Sequence, residues 1–454
     1  MNRTFAVLST GAGVFSLLQS LIGPVLPTIQ HELGTSQNTA TWVLTAYLLS
    51  ASVATPILGR VGDMVGKDRT LVVVLATVAA GCLLAALAPN IGVLIAARVV
   101  QGAGGAIFPL AFGILRDELP PAALRRNVGT LSAVIAVGSG LGVVLAGPVV
   151  TVLGLRWLFW LPLIVVSVAA VAAYRFVPPS SARAPGRVNW AATVLLSGWL
   201  VALLLAVSQA PSWGWTSGRV LGLLALAVLG LAGWAVVELR STTPLIDMRM
   251  LRLPAVWPTN TVALLLGAAM FAAWAFLPQL VQSPTSFGAS ATEAGLLMLP
   301  MLVTMFVAGI LSGRLPLSPR AQLTIAAGFC VAANASLALA HAERWQVAVG
   351  SALLGLSVGL AFAAMTTLVV GAVPPSQTGT ASGTNANLRT IGGSIGAAVM
   401  SSIVTATPGD GGYTSGFAMF AIVSVFAVVA ALLVPTARRT ARLVPKPALA
   451  TAQP

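Results

Sequence analysis

Charged side chains are scarce in this chain. They make up 7% of its 454 residues, while 57% are hydrophobic and the mean hydropathy is +0.95. A soluble domain carries roughly a quarter of its residues as Asp, Glu, Lys or Arg. That class is therefore excluded, and an all-α, polytopic integral membrane protein is expected. Cysteine is nearly absent: Cys82 and Cys330 each lie inside an apolar run, so neither a disulfide framework nor a metal site is expected. The two histidines, His31 and His341, fall in short loops, leaving no His–acid cluster for a membrane enzyme acting on lipid. No Walker sequence occurs, so ATP hydrolysis lacks its phosphate-binding loop. No cofactor is expected.

What is present is apolar length. Fourteen spans run near 5–29, 40–60, 70–88, 91–115, 127–150, 157–177, 189–209, 218–239, 256–281, 292–315, 321–341, 345–371, 381–406 and 416–435. About twenty residues at a rise of ~1.5 Å cross the hydrocarbon once. The longest connections, 178–188 and 240–255, are too short for a soluble domain. The first apolar segment reads as a membrane helix that stays rather than a cleaved signal.

Basic residues orient such a chain. With the N-terminus inside, the cytoplasmic segments collect Arg3, Arg60, Lys67, Arg69, Arg116, Arg125, Arg126, Arg175, Arg183, Arg187, Arg240, Arg249, Arg252, Arg314, Arg320, Arg389, Arg438, Arg439, Arg442 and Lys446. The outer side has Arg156, Arg219 and Arg344. Both termini are thus expected in the cytoplasm, and the net charge of +14 is a topology signal matched to anionic inner-leaflet lipid, not to nucleic acid. Trp157, Trp213, Trp215 and Trp345 fall near span ends and read as interface anchors.

The fourth span contains a single charged residue, Arg98, followed at i+3 by Gln101. An arginine inside a span is costly, so it should face protein or a water-filled cavity, with Gln101 on the same face. The alternative is an arginine that reaches back to the headgroups.

The two ends of the chain echo one another. ILGRVGD (57–63) closes span 2 and ILSGRL (310–315) closes span 10; GSGLG (138–142) lies in span 5 and GGSIG (392–396) in span 13. Repeats of this kind mark secondary transporters. They divide the chain into a six-helix bundle at 1–177, a linker with two inserted helices at 178–255, a second bundle at 256–435 and a basic tail at 436–454.

Several motifs together resemble the major facilitator superfamily, and more narrowly its fourteen-helix drug:proton antiporters. GRVGDMVGKDR (59–69) matches the loop signature at Gly59, Asp63, Gly66 and Lys67, although Met64 and Asp68 stand where basic residues are usual. RVVQGAGGA (98–106) matches the helix-4 motif. GSGLGVVLAGP (138–148) matches the helix-5 antiporter motif at Gly138, Gly142, Gly147 and Pro148, but Thr151 and Val152 replace a glycine pair. PLIDMRMLR (244–252) and VPPSQTGTASGTNANLRTIGGSIG (373–396) are also typical.

From this resemblance follow further expectations. Asp63 should clamp the cytoplasmic ends of the halves, on the N-terminus of span 13 near Ala381, assisted by Arg69 or by Arg125 and Arg126. The glycines of spans 5 and 13 permit close helix approach and lie at the interface of the halves. Arg98 implies a part in proton coupling. Yet all ten acids, Glu32, Asp63, Asp68, Asp117, Glu118, Glu238, Asp247, Glu293, Glu343 and Asp410, sit in loops or at span ends. Leu18 stands where cation exporters often carry a carboxylate. Either an edge acid such as Glu293 or Glu238 carries the proton, or the substrate is neutral or anionic with Arg98 as its partner. The superfamily fold nominates Gln19, Tyr47, Met270, Trp274, Gln279, Phe362 and Met365 as cavity residues, beside Arg98 and Gln101.

The expected function is export of small amphipathic, drug- or antibiotic-like compounds by a monomer in the plasma membrane, driven by the proton motive force. The alternatives are a proton-independent permease or uniporter for a neutral or anionic metabolite, and a sensor that kept the fold.

Overall fold

The computed structural model describes residues 3–180, 189–242, 244–284, 286–407 and 409–435, all helix or connection, with no strand among the described residues. Among the described residues, fourteen helices are long and apolar enough to cross a membrane. They are Arg3–Val25 (span 1), Trp42–Val65 (2), Lys67–Ala86 (3), Ile91–Glu118 (4), Arg126–Leu153 (5), Trp157–Phe176 (6) and Trp190–Trp213 (7). Then come Gly218–Arg240 (8), Val256–Gln282 (9), Glu293–Ser312 (10), Pro319–Leu339 (11), Arg344–Ala372 (12), Pro375–Ala406 (13) and Asp410–Leu433 (14). The chain is a multi-pass membrane protein. An even number of crossings returns Pro435 to the side where Arg3 begins, the terminal face.

Helix starts are set by local chemistry. Ser36, Asn90, Asn189, Ser217 and Ser318 each accept a backbone N–H three residues on, from Thr39, Val93, Ala192, Val220 and Ala321. These caps satisfy donors that a helix leaves free. Gly66 alone separates span 2 from span 3, at φ +126°, a conformation that side chains rarely adopt. Two spans depart from a single α-helix: span 4 passes through a 3-10 stretch at Gly102–Ala106, and span 10 joins Ala291–Leu297 to Leu299–Ser312.

One apolar core gathers side chains from Phe5 to Val177. A second gathers residues from Val262 to Val434, with Ala136 of span 5 inserted into it. The two groups meet along two seams, span 2 on span 13 and span 5 on span 10. Span 7 packs against spans 2 and 13, and span 8 leans on span 7, with most of its surface outward.

The motif glycines pack differently from expectation. Gly138 and Gly142 meet the backbone of span 1 at Gly13 and Leu17; Gly392 and Gly396 meet span 9 at Leu264 and Ala268. Each pair thus joins helices within one half. Spans 5 and 13 do face the seams, but on other residues: Gly129 lies against Gly309, and Gly379 against Gly59. A helix has several faces, and a glycine pair says only that one of them is approached closely.

Arg389, expected among the basic residues of the terminal face, is instead well inside span 13. It lies about 16 Å beyond the helix start at Thr378 at the α-helical rise. Arg183, Arg187, Arg438, Arg439, Arg442, Lys446 and the tail at 436–454 lie outside the described residues, as does the side chain of Arg125.

Candidate functional site

At the terminal face Asp63 joins the halves. It closes span 2 and is wholly buried. One carboxylate oxygen accepts the Gly379 N–H at 3.0 Å; the other accepts the Thr380 N–H at 2.8 Å and the Thr380 hydroxyl at 3.0 Å. The helix begins at Thr378, so both amides belong to its first turn, where donors are unsatisfied and the dipole is positive. Asp63 thus sits on the helix start of span 13, three residues before Ala381. Hydrogen bonds to a charged group contribute about 1.5–3 kcal/mol each. The approach is possible because Gly59 and Gly379 lack side chains: a Cβ on Gly59 would lie 2.8 Å from the Gly379 carbonyl oxygen.

Of the basic residues expected beside Asp63, Lys67 of the loop signature takes part and two others do not. Arg69 and Arg126 are exposed. Lys67, fully buried, pairs with Asp117 at 2.8 Å and donates to the Pro375 carbonyl at 3.3 Å. Arg116 donates to the Thr378 hydroxyl at 2.8 Å and the Val373 carbonyl at 2.6 Å. The Gly66 turn directs Lys67 beneath span 4, into room left by Gly113, whose Cβ would come within 2.7 Å of the lysine stem. Asp68 is occupied elsewhere, accepting the Ser180 N–H at 3.1 Å.

Arg98 is wholly buried inside the first half, facing protein rather than headgroups. Its Nε donates to the Val43 carbonyl at 3.1 Å and one terminal nitrogen to Gln101 Oε1 at 2.7 Å. The guanidinium lies 4.1 Å from the Tyr47 ring centre, a cation–π distance. Gln101 Nε2 in turn approaches the Cys82 sulfur at 3.6 Å. Arg98, Gln101 and Tyr47 therefore form one cluster bridging spans 2, 3 and 4.

A separate cavity of about 20 Å³ lies between the halves, room for about one water. Phe108 and Phe112 of span 4, Ser132 of span 5, Phe362 of span 12, and Ser382 and Arg389 of span 13 all line it. The Arg389 guanidinium sits 4.0 Å from the Phe362 ring centre. Among the nominated cavity residues, Phe362 borders this space. Met270 and Met365 are buried in the second core, Trp274 packs at its edge, Gln19 is half-buried and Gln279 is exposed.

The two edge acids are committed to structure. Glu238 accepts the N–H groups of Leu245 and Ile246 at 2.9 and 3.2 Å, pinning the linker to span 8. Glu293 forms a capping box with Ser290 and lies 4.0 Å from Arg344. Neither lines the cavity.

Two helical halves, a carboxylate contact across one face and a mainly apolar cavity between them that holds Arg389 fit a membrane transporter. Residues 8–397 match the Major Facilitator Superfamily, and residues 260–452 match it a second time. The chain belongs to that superfamily. It is 29% identical over 418 residues to the tetracenomycin C resistance and export protein of Streptomyces glaucescens, covering 90% of this chain and 76% of that one. It is 30% identical over 412 residues to the methylenomycin A resistance protein of Streptomyces coelicolor, covering 88% and 85%. The multidrug transporter protein MdtP of Bacillus subtilis shares 27% identity over 403 residues, covering 87% and 74%. The crystal structure of the human organic anion transporter MFSD10 superposes with a TM-score of 0.72 over 94% of this chain and 99% of that one, at 16% identity; this is a likeness of fold. With transporters as its relatives, the chain is a transporter and not an enzyme.

Proposed function

We propose that this protein exports small amphipathic, drug- or antibiotic-like compounds from the cytoplasm by proton antiport, with the two halves rocking about the substrate. The Asp63 latch carries the reading. It is a reversible bond between halves, on backbone amides that water can satisfy when the halves part. The resistance and multidrug transporters among the relatives support the substrate class. The terminal face is the cytoplasmic one, where basic residues gather against anionic lipid. The protein works as a monomer in the plasma membrane, energised by the proton motive force.

A second reading, a permease moving a neutral or anionic metabolite without protons, is favoured by one observation: Glu238 and Glu293 are engaged away from the cavity. Proteoliposomes with an imposed pH gradient separate the two. Adding cationic, neutral and anionic amphiphiles while following internal pH should give proton movement triggered by substrate. Substrate flux with internal pH unchanged would remove antiport and leave the permease.

A further inference from the structure

We propose that Arg389 reads the charge of the transported molecule, and that the cavity it lines takes an anionic, ring-bearing amphiphile such as an aromatic carboxylate. The inference rests on the transporter reading above and names its substrate class.

Arg389 makes no hydrogen bond and no ion pair with any described residue; its one recorded partner is the face of Phe362. A guanidinium in the middle of a span is expensive, and partnerless charges persist where a ligand supplies the counter-charge. Ser132 and Ser382, one from each half, border the same cavity with buried hydroxyls that have no hydrogen-bond partner. A buried hydroxyl left unpaired is costly. The space therefore offers a cation and two hydroxyl donors, with no carboxylate among its lining residues. That donor set fits an oxyanion and repels a cation. Phe108, Phe112 and Phe362 supply the apolar walls for a ring. At about 20 Å³ the space is collapsed here, so the substrate enters when the halves part.

The test uses three isosteric probes: 1-naphthoate, 1-naphthalenemethanol and 1-naphthylmethylammonium. Their binding to purified protein in lipid nanodiscs is measured calorimetrically for wild type, Arg389→Gln and Arg389→Lys. Wild type should bind naphthoate at least tenfold tighter than the other two. Arg389→Gln should erase that preference while leaving the neutral probe within about twofold, and Arg389→Lys should retain most of it. Wild-type protein that binds all three alike, prefers the ammonium or binds none overturns the proposal. So does an Arg389→Gln variant that weakens all three equally, which would give the residue a structural role. Flux of the same probes in proteoliposomes separates this from the reading beneath it. Flux without anion preference leaves a transporter and removes the anion site; selective binding with no flux of any probe leaves the site and removes transport.

Discussion

Arg98 and Arg389 both lie well inside membrane-spanning helices, and they are held in different ways. Arg98 is enclosed by one half, its guanidinium spent on a backbone carbonyl, a glutamine and a tyrosine ring. Arg389 faces the space between halves with an aromatic ring as its one recorded partner. The first depends on the geometry of its donors; the second presents a charge. Arg98 stitches the helices of one half together although one of its terminal nitrogens has no partner, whereas a cation facing the cleft is available to whatever enters it.

Substitutions can break that contrast. The largest effect is expected from Arg98→Ala, which strands Gln101 and the Val43 carbonyl in a dry interior. Thermal unfolding in detergent should show a loss of about 3 kcal/mol or more, with transport at background. Arg98→Lys should lose transport more than tenfold because an ammonium cannot reproduce the planar fork; Arg389→Lys, retaining charge, should stay within about threefold. Equal losses for the two lysine variants would erase the distinction. Next comes the latch. Asp63→Asn keeps the shape but removes the charge that three donors address, so transport should fall at least tenfold at unchanged expression. Wild-type transport by that variant would show that the contact does not gate. Tyr47→Phe should have the smallest effect. The Tyr47 hydroxyl is buried without a partner while the ring carries the cation–π contact, so the variant should keep its activity and gain up to about 1 kcal/mol in stability.

Much of this arrangement was legible from residue types. Fourteen spans followed from apolar length, and the Asp63 clamp from a motif whose carboxylate suits a helix start. Arg389 was misplaced for a physical reason. The early turns of span 13 run through threonine, serine and asparagine, and at 1.2 its mean hydropathy is the lowest of the fourteen. These polar turns let Arg389 be counted with the terminal-face charges although the expected span, 381–406, already enclosed it; a helix wrapped by protein does not have to be apolar. The partners of the glycine pairs were equally hidden: spacing shows that a face is approached, not by what. Lys67 was named by the loop signature, but Arg116 was missed as a latch residue: its partners, a hydroxyl and a backbone carbonyl of the other half, carry no charge that a sequence could pair with it.

The inserted pair makes the molecule one-sided. Span 7 lies along the junction of spans 2 and 13, its Leu196, Leu200 and Leu204 sharing a core with Val369, Ala381 and Ile391, and Trp215 beyond it donates to Ser402 of span 13 at 2.7 Å. Among the described residues the junction of spans 5 and 10 has no such cover. A hydrophobic guest dissolved in the bilayer would therefore face two layers of helix along one flank of the protein and a single closed helix pair, Gly129 against Gly309, along the other.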